Sequence, residues 1–229
     1  MKLSQLMNHL AMGELSNLAV SENGKITQES EEQVRFFIEE TLNKIYGELR
    51  IKTSSVYLEM VEGKTSYEIS AKHLMEPGKG PDWEHYLYKP SGAVLDDDIL
   101  SILAVEDYEG VNIPINIDIP GAVFTTSYNT LQIPYPVPGK PLEIKYTPKH
   151  PALKIGEDTE IDIASPLVPA VKAYVAYLLH NNINTEVAVT NAQKYLLQYR
   201  SVMEASVTSG IIYEPESESN FKFSDRGFI

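Results

Sequence analysis

Few side chains in this 229-residue chain are placed to do acid–base or metal chemistry. The five histidines, His9, His73, His85, His150 and His180, are scattered. No two stand three or four residues apart, the spacing that sets a pair of imidazoles on one helix face for a metal. His73, Asp82 and His85 could converge on a cation, but they fall in a Gly/Pro-rich stretch with no known ligand spacing and read as surface groups. Asp96-Asp97-Asp98 offers carboxylates for a hard cation, or Asp96 and Asp98 as the acid and base of a hydrolase. Three adjacent acids lack the alternate spacing around a glycine of a calcium loop, and more often make a solvated turn or a cap. Gly63-Lys64-Thr65 looks like the end of a phosphate-binding loop, yet Leu58 stands where that motif needs its first glycine. There is no G-x-S-x-G, no H-E-x-x-H and no glycine-rich dinucleotide turn. With no cysteine, a thiol nucleophile or thiolate metal site is excluded. The expectation is a protein that is not an enzyme, with no catalytic residue, cofactor or resident metal.

The other residues that could do work are aromatic. Trp83, Tyr86 and Tyr88 crowd an irregular stretch, residues 72 to 95, punctuated by Pro77, Gly78, Gly80, Pro81, Pro90 and Gly92. Such a loop can stack on sugar faces, as in a glycan-binding module, or meet a protein partner, though more often it folds onto its own domain. Tyr213, Phe221, Phe223 and Phe228 lie in a final stretch with Glu214, Glu216 and Glu218 and no helical or alternating period. Spaced aromatics of this kind suit an extended arm, residues 211–229, that orders on a partner.

These residues must be positioned by a mixed set of elements. Leu3, Leu6, Met7 and Leu10 allow one short N-terminal helix. Ser30 and Gln33 stand in capping-box relation ahead of a stripe formed by Val34, Phe37, Ile38, Thr41, Leu42, Ile45 and Leu49, with Glu40 and Lys44 as a supporting pair. Phe36 lies off that stripe, so it either caps the core edge or faces a partner. Val56, Leu58 and Met60 then alternate, and Glu62-Gly63-Lys64 turns the chain into Ser66–Ile69, a hairpin by pattern. From Ile99 to Tyr146 strands are expected at Ile113–Ile119, Val123–Thr126, Thr130–Tyr135 and Leu142–Thr147, the last two joined by a Val137-Pro138-Gly139-Lys140 turn. Helices return with Ala170, Val171, Tyr174, Val175 and Leu178 on one face and the small residues Ala173 and Ala176 on another. Thr185 and Glu186 open a last helix that ends near Ser209. The reading is α+β: a bundle of three main helices with a large β-rich insertion between the first and second, and a C-terminal arm. Residues 1–54 and 156–210 would form the helical domain and 55–155 the β-rich one.

Composition bounds the partners. A formal charge of −13 argues against a reader of nucleic-acid sequence, which needs a basic face. It suits a surface past which DNA slides. No apolar run is long enough to span a membrane and no signal peptide is legible, so the chain reads as made in a cytoplasm.

The order of several strings resembles a known family. Gly13-Glu14-Leu15-Ser16-Asn17-Leu18-Ala19 follows the leading helix, and Glu31–Arg50 runs into Val56–Ile69. Asp97-Asp98-Ile99-Leu100-Ser101-Ile102-Leu103-Ala104-Val105 precedes Gly110–Ile115. Ser127-Tyr128-Asn129-Thr130-Leu131, Pro134-Tyr135-Pro136-Val137-Pro138-Gly139 and Ala170-Val171-Lys172-Ala173-Tyr174-Val175-Ala176-Tyr177 complete the series. The series is similar to the head-to-tail adaptors (neck or connector proteins) of short-tailed bacteriophages, the tail-tubular-protein-A-like group. Ser165-Pro166-Leu167-Val168-Pro169 stands where family members often carry an acidic helix start. The resemblance implies a structural virion protein: a homo-oligomeric ring, usually of twelve copies, beneath the portal protein. Such a ring extends the DNA channel, helps retain the genome, and carries the tail nozzle or tube. It further implies that Tyr213, Phe221, Phe223 and Phe228 grip the portal, and that Phe36, Ala173 and Ala176 are ring contacts.

Overall fold

The computed structural model describes residues 1–89, 95–154, 156–183 and 185–209. Helix α1 (Leu3–Met12) leads through a minimal hairpin, β1 (Ser21–Glu22) and β2 (Lys25–Ile26), to α2 (Glu31–Leu49). Then come β3 (Ser54–Leu58), β4 (Ser66–Glu68), β5 (Leu87–Tyr88), β6 (Ile99–Glu106), β7 (Asn112–Ile113), β8 (Phe124–Ser127), β9 (Thr130–Gln132) and β10 (Leu142–Pro148). Helices α3 (Val168–Asn181) and α4 (Glu186–Thr208) follow. The fold is α+β, with antiparallel sheets.

Helix α2 buries Val34, Ile38, Thr41, Leu42, Ile45 and Leu49 as its stripe requires, and adds Tyr46. Each fully buried Leu or Ile contributes roughly 2 kcal/mol. The capping box does not form: Ser30 is already helical in its backbone and its hydroxyl takes a hydrogen bond from Thr27 instead. Lys44 pairs with Glu48 at 2.5 Å rather than with Glu40, placing the charge pair one turn further along. The expected cap of α4 does form, with Thr185 Oγ1 accepting the Ala188 N–H at 3.3 Å. At α1 the cap comes from far along the chain, where Asp158 Oδ1 accepts the Ser4 N–H at 3.0 Å.

The strands pair differently from their sequence neighbours. Five of them form one sheet in the order β5-β3-β10-β6-β7, and three form another, β4-β9-β8. The expected hairpin of Val56–Met60 with Ser66–Ile69 is therefore not a pair, since β3 binds β10 and β5 while β4 binds β9. The reason lies in the connection: the Tyr67 hydroxyl accepts the Val61 N–H at 3.0 Å and donates to the Val61 carbonyl at 3.2 Å, folding the linker across β4. The Val137–Lys140 turn exists, with Gly139 at φ +79° and Lys140 N–H on the Val137 carbonyl. It leads from the small sheet into the large one rather than closing a hairpin. Of the strand expected at Ile113–Ile119 only the first residue is retained, in β7. Pro114 and Pro120 lack ladder donors, and Asn116 is turned to φ +58°.

Two hydrophobic cores result. One gathers Leu6, Leu10, Ile38, Leu42, Val171 and Leu179 from the helices, joined by Leu153 and Ile161 from the long link between β10 and α3. The other is built by the sheets around Val56, Leu58, Tyr67, Leu131, Ile144 and Tyr146. They meet where α2 ends. His150 N–H bonds Asn43, and Leu100 of β6 lies against Gly47.

Candidate interaction surfaces

Pairing places four loops at one end of the large sheet. Leu58 faces both Leu142 and Leu87, and Glu143 faces Glu106, so residues 59–65, 80–86, 107–111 and 136–141 all leave the sheet together. The α2 junction is at the other end. Seven residues of β10 put about 20 Å between the two ends. The loop end carries Trp83, Tyr108, Val111, Tyr135 and Val137 exposed to solvent. Val137 N–H points at Met60 Sδ, and Lys140 lies over the Tyr108 ring at 5.2 Å. The sequence reading singled out only Trp83 here. The missed signal was prolines on both sides of Tyr135 and Val137, which keep those residues out of a ladder and leave them on a loop.

The aromatic loop is not an open platform. Trp83 is 59% exposed, but Tyr86 is 1% exposed and Tyr88 is half-buried with its ring stacked on Tyr57 at 5.3 Å. Lys64 sets its ammonium over Tyr86 at 4.8 Å, Trp83 at 5.5 Å and Tyr67 at 5.7 Å, and donates to the Trp83 carbonyl at 3.0 Å. The chain fills this cage with its own cation. Burial pushes the Tyr86 hydroxyl up to about 12, so it serves as a neutral hydrogen-bonding group. A flat stacking surface made from Trp83, Tyr86 and Tyr88 is thus corrected to one exposed indole beside two rings used in packing.

On the helical side the candidates divide. Phe36 is 63% exposed, touching Phe37 edge-on at 5.8 Å. Ala173 and Ala176 are completely buried in the helical core. With no surface left exposed, they are not available as ring contacts. The α3–α4 turn presents Ile183 and Val187 to solvent. From Val187 to Tyr199, which bonds Glu48 at the last turn of α2, is about 20 Å along the helix. A cleft of about 420 Å³ lies between α2, α3 and α4 and is lined by Lys44, Glu48, Tyr174, Tyr177 and Tyr199. Burial first, then the Glu48 carboxylate, pushes the Tyr199 hydroxyl well above its ordinary value.

The groups that could do chemistry are spent on structure. Asp97 Oδ1 accepts the Ala71 N–H at 2.7 Å, and the Asp98 carbonyl takes the Lys149 N–H. His85 lies on Asp82, whose carboxylate caps the backbone N–H groups of His85 and Glu84 and is held below its usual range by them. His73 bonds the Glu84 carbonyl and stacks on Tyr86 at 4.7 Å. His150 and His180 are buried, and burial lowers both below the ordinary histidine value. His180 stacks on Tyr195, whose hydroxyl donates to the Glu14 carbonyl while the Glu14 carboxylate pairs with Lys172 at 2.8 Å. Among the described residues no group of three or more acids and histidines could hold a metal ion, and no helix is long and apolar enough to cross a membrane. Tyr213, Phe221, Phe223 and Phe228 lie outside the described residues.

No protein-family model matches the chain, and no curated protein matches it.

Proposed function

We propose that the chain is a structural head-to-tail adaptor of a virion, assembled in the host cytoplasm and residing in the neck between capsid and tail. It forms a homo-oligomeric ring, twelve copies in the form the family implies, beneath the portal protein. The ring prolongs the channel through which the genome passes without sequence-specific binding, and carries the tail nozzle or tube. On this reading the helices form one bundle interrupted by the β-rich insertion, and the segment 211–229 is the arm that grips the portal through its aromatic residues. No membrane, cofactor or catalytic step is involved.

One observation supports this reading beyond the order of the sequence strings. Exposed apolar side chains occur on the loop end of the sheet, at Trp83, Tyr108, Tyr135 and Val137, and also on the helices, at Phe36, Val187 and Leu197, with others at Met12, Ile117 and Tyr128. A protein that must hold two partners apart needs two such surfaces. The negative charge fits a channel past which phosphates move without sticking. Asp97, Asp82, His73 and His150 are engaged with backbone groups, which suits a scaffold more than a catalyst.

The test is to mix the purified chain with its portal and examine the mixture by gradient sedimentation and electron microscopy. The reading requires co-sedimentation and a ring stacked on the portal. A chain that never associates with the portal refutes it.

A further inference from the structure

We propose that the link from β10 to α3 is an acid-sensitive strap, closed by the neutral imidazole of His150 and released when that ring takes up a proton.

The strap is held along its length by backbone pairing and by α2. Met1 exchanges hydrogen bonds with Ile161, Leu3 N–H bonds the Thr159 carbonyl, and Asp158 caps α1. Leu153 and Ile161 point into the helical core. From α2, Arg35 reaches the Leu153 carbonyl at 3.4 Å and Tyr46 donates to the Asp162 carbonyl at 2.5 Å.

His150 closes this arrangement at the junction with the sheets. Its backbone N–H bonds Asn43 Oδ1 at 2.9 Å. Its ring lies 2.7 Å from the Pro151 carbonyl through Nδ1 and 3.2 Å from the Asp162 backbone nitrogen through Nε2. A carbonyl only accepts and a backbone N–H only donates. The contacts therefore define one tautomer, with the proton on Nδ1 and the Nε2 lone pair receiving Asp162. The ring is 3% exposed and packs edge-on against Tyr46 at 5.4 Å. A second proton must go on Nε2, where it turns the acceptor into a donor facing another donor. Two donors facing each other repel, so the direct bond is lost and the Asp162 N–H must turn away from the ring. Because Asp162 also holds Tyr46 through its carbonyl and Lys52 through its carboxylate, its displacement frees three ties together.

The charges around the ring set where this happens. Burial is the largest influence and holds His150 below its ordinary value. The Pro151 carbonyl, the Asp162 carboxylate and Glu39 of α2 pull upward, and Lys52 pushes downward. The strap is thus closed near neutral pH and opens on acidification, at a pH below the ordinary histidine value. It concerns the isolated chain and does not depend on the adaptor reading.

The experiment is pH-dependent amide exchange on the full chain, corrected for intrinsic rates, alongside NMR titration of the His150 ring. As pH falls from 7 through the ring's own titration, protection at Ile161 and Asp162 should fall at least tenfold in step with ring protonation, while Ile38 and Leu42 inside α2 keep theirs. His150→Gln retains an acceptor that does not titrate and should abolish the response. Lys52→Met, which leaves the ring intact, should shift the midpoint to higher pH. If the ring protonates with Asp162 protection unchanged, or if α2 loses protection to the same extent, the proposal is overturned. The wild-type titration alone decides this even if His150→Gln fails to fold.

Discussion

The hydroxyl of Tyr86 both accepts the backbone N–H of Glu68 and donates to its carbonyl, each at 3.0 Å. Glu68 ends β4, the edge of the small sheet, while Tyr86 sits beside β5 at the edge of the large one. One phenol thus satisfies two main-chain groups that a free edge would leave open, and it ties the two sheets together. Tyr86→Phe keeps the ring and removes the bridge. The expected cost is roughly 1–3 kcal/mol, with the fold retained. Urea unfolding at neutral pH reads it; an unchanged midpoint would show that the bridge contributes nothing.

Ala173→Leu and Ala176→Leu separate the buried alanines from a ring surface. In the helical core the added volume costs about 1–3 kcal/mol and lowers the melting temperature of the monomer. A variant with unaltered stability but weakened self-association would instead mean these residues face a second copy.

The Glu14–Lys172 pair is mostly shielded, with side-chain exposures of 15% and 26%. Lys172→Met strands a carboxylate, and stability should drop by roughly 1–3 kcal/mol. Adding Glu14→Gln should restore much of it. A double-mutant cycle with no coupling between the two changes contradicts the pairing.

Trp83→Ala should leave stability within about 1 kcal/mol, since the indole is exposed and contributes mainly its share of the Lys64 cage. Trp83 is the sole tryptophan, so the variant also serves as the fluorescence blank. On the adaptor reading it weakens attachment of the tail partner and leaves portal binding intact, measured by co-sedimentation with each. Loss of binding across a glycan array would speak for the sugar-binding alternative.

Acid should destabilise the chain in a second stage below that of His150. Glu68 is held below its usual range by Lys72, and Asp158 by the Ser4 N–H. Carboxylates whose pKa is depressed in the folded chain stabilise it above their unfolded value, and that stability is lost as pH falls through the folded one. Thermal melts should therefore fall further below about pH 4. Asp158→Asn should flatten part of that fall, and an identical profile in the variant would remove Asp158 from the account.

What the sequence determined by itself is local. Residues at three- and four-residue steps name the buried face of α2, and Thr185 names the start of α4, because neighbours on a helix are neighbours in the chain. The alternation of Leu142, Ile144 and Tyr146 marks β10 for the same reason, and all three are buried. Partners were not legible. That β3 pairs with β10 across more than eighty residues, that Asp158 caps α1, and that Ala173, Ala176 and Tyr86 lie inside are outcomes of tertiary closure. An alanine face, a phenol or a spare carboxylate carries no mark in its own type of whether it meets solvent or another part of the chain. Burial and hydrogen-bond satisfaction are properties of the whole arrangement, and only that arrangement leaves Trp83 and Phe36 outside.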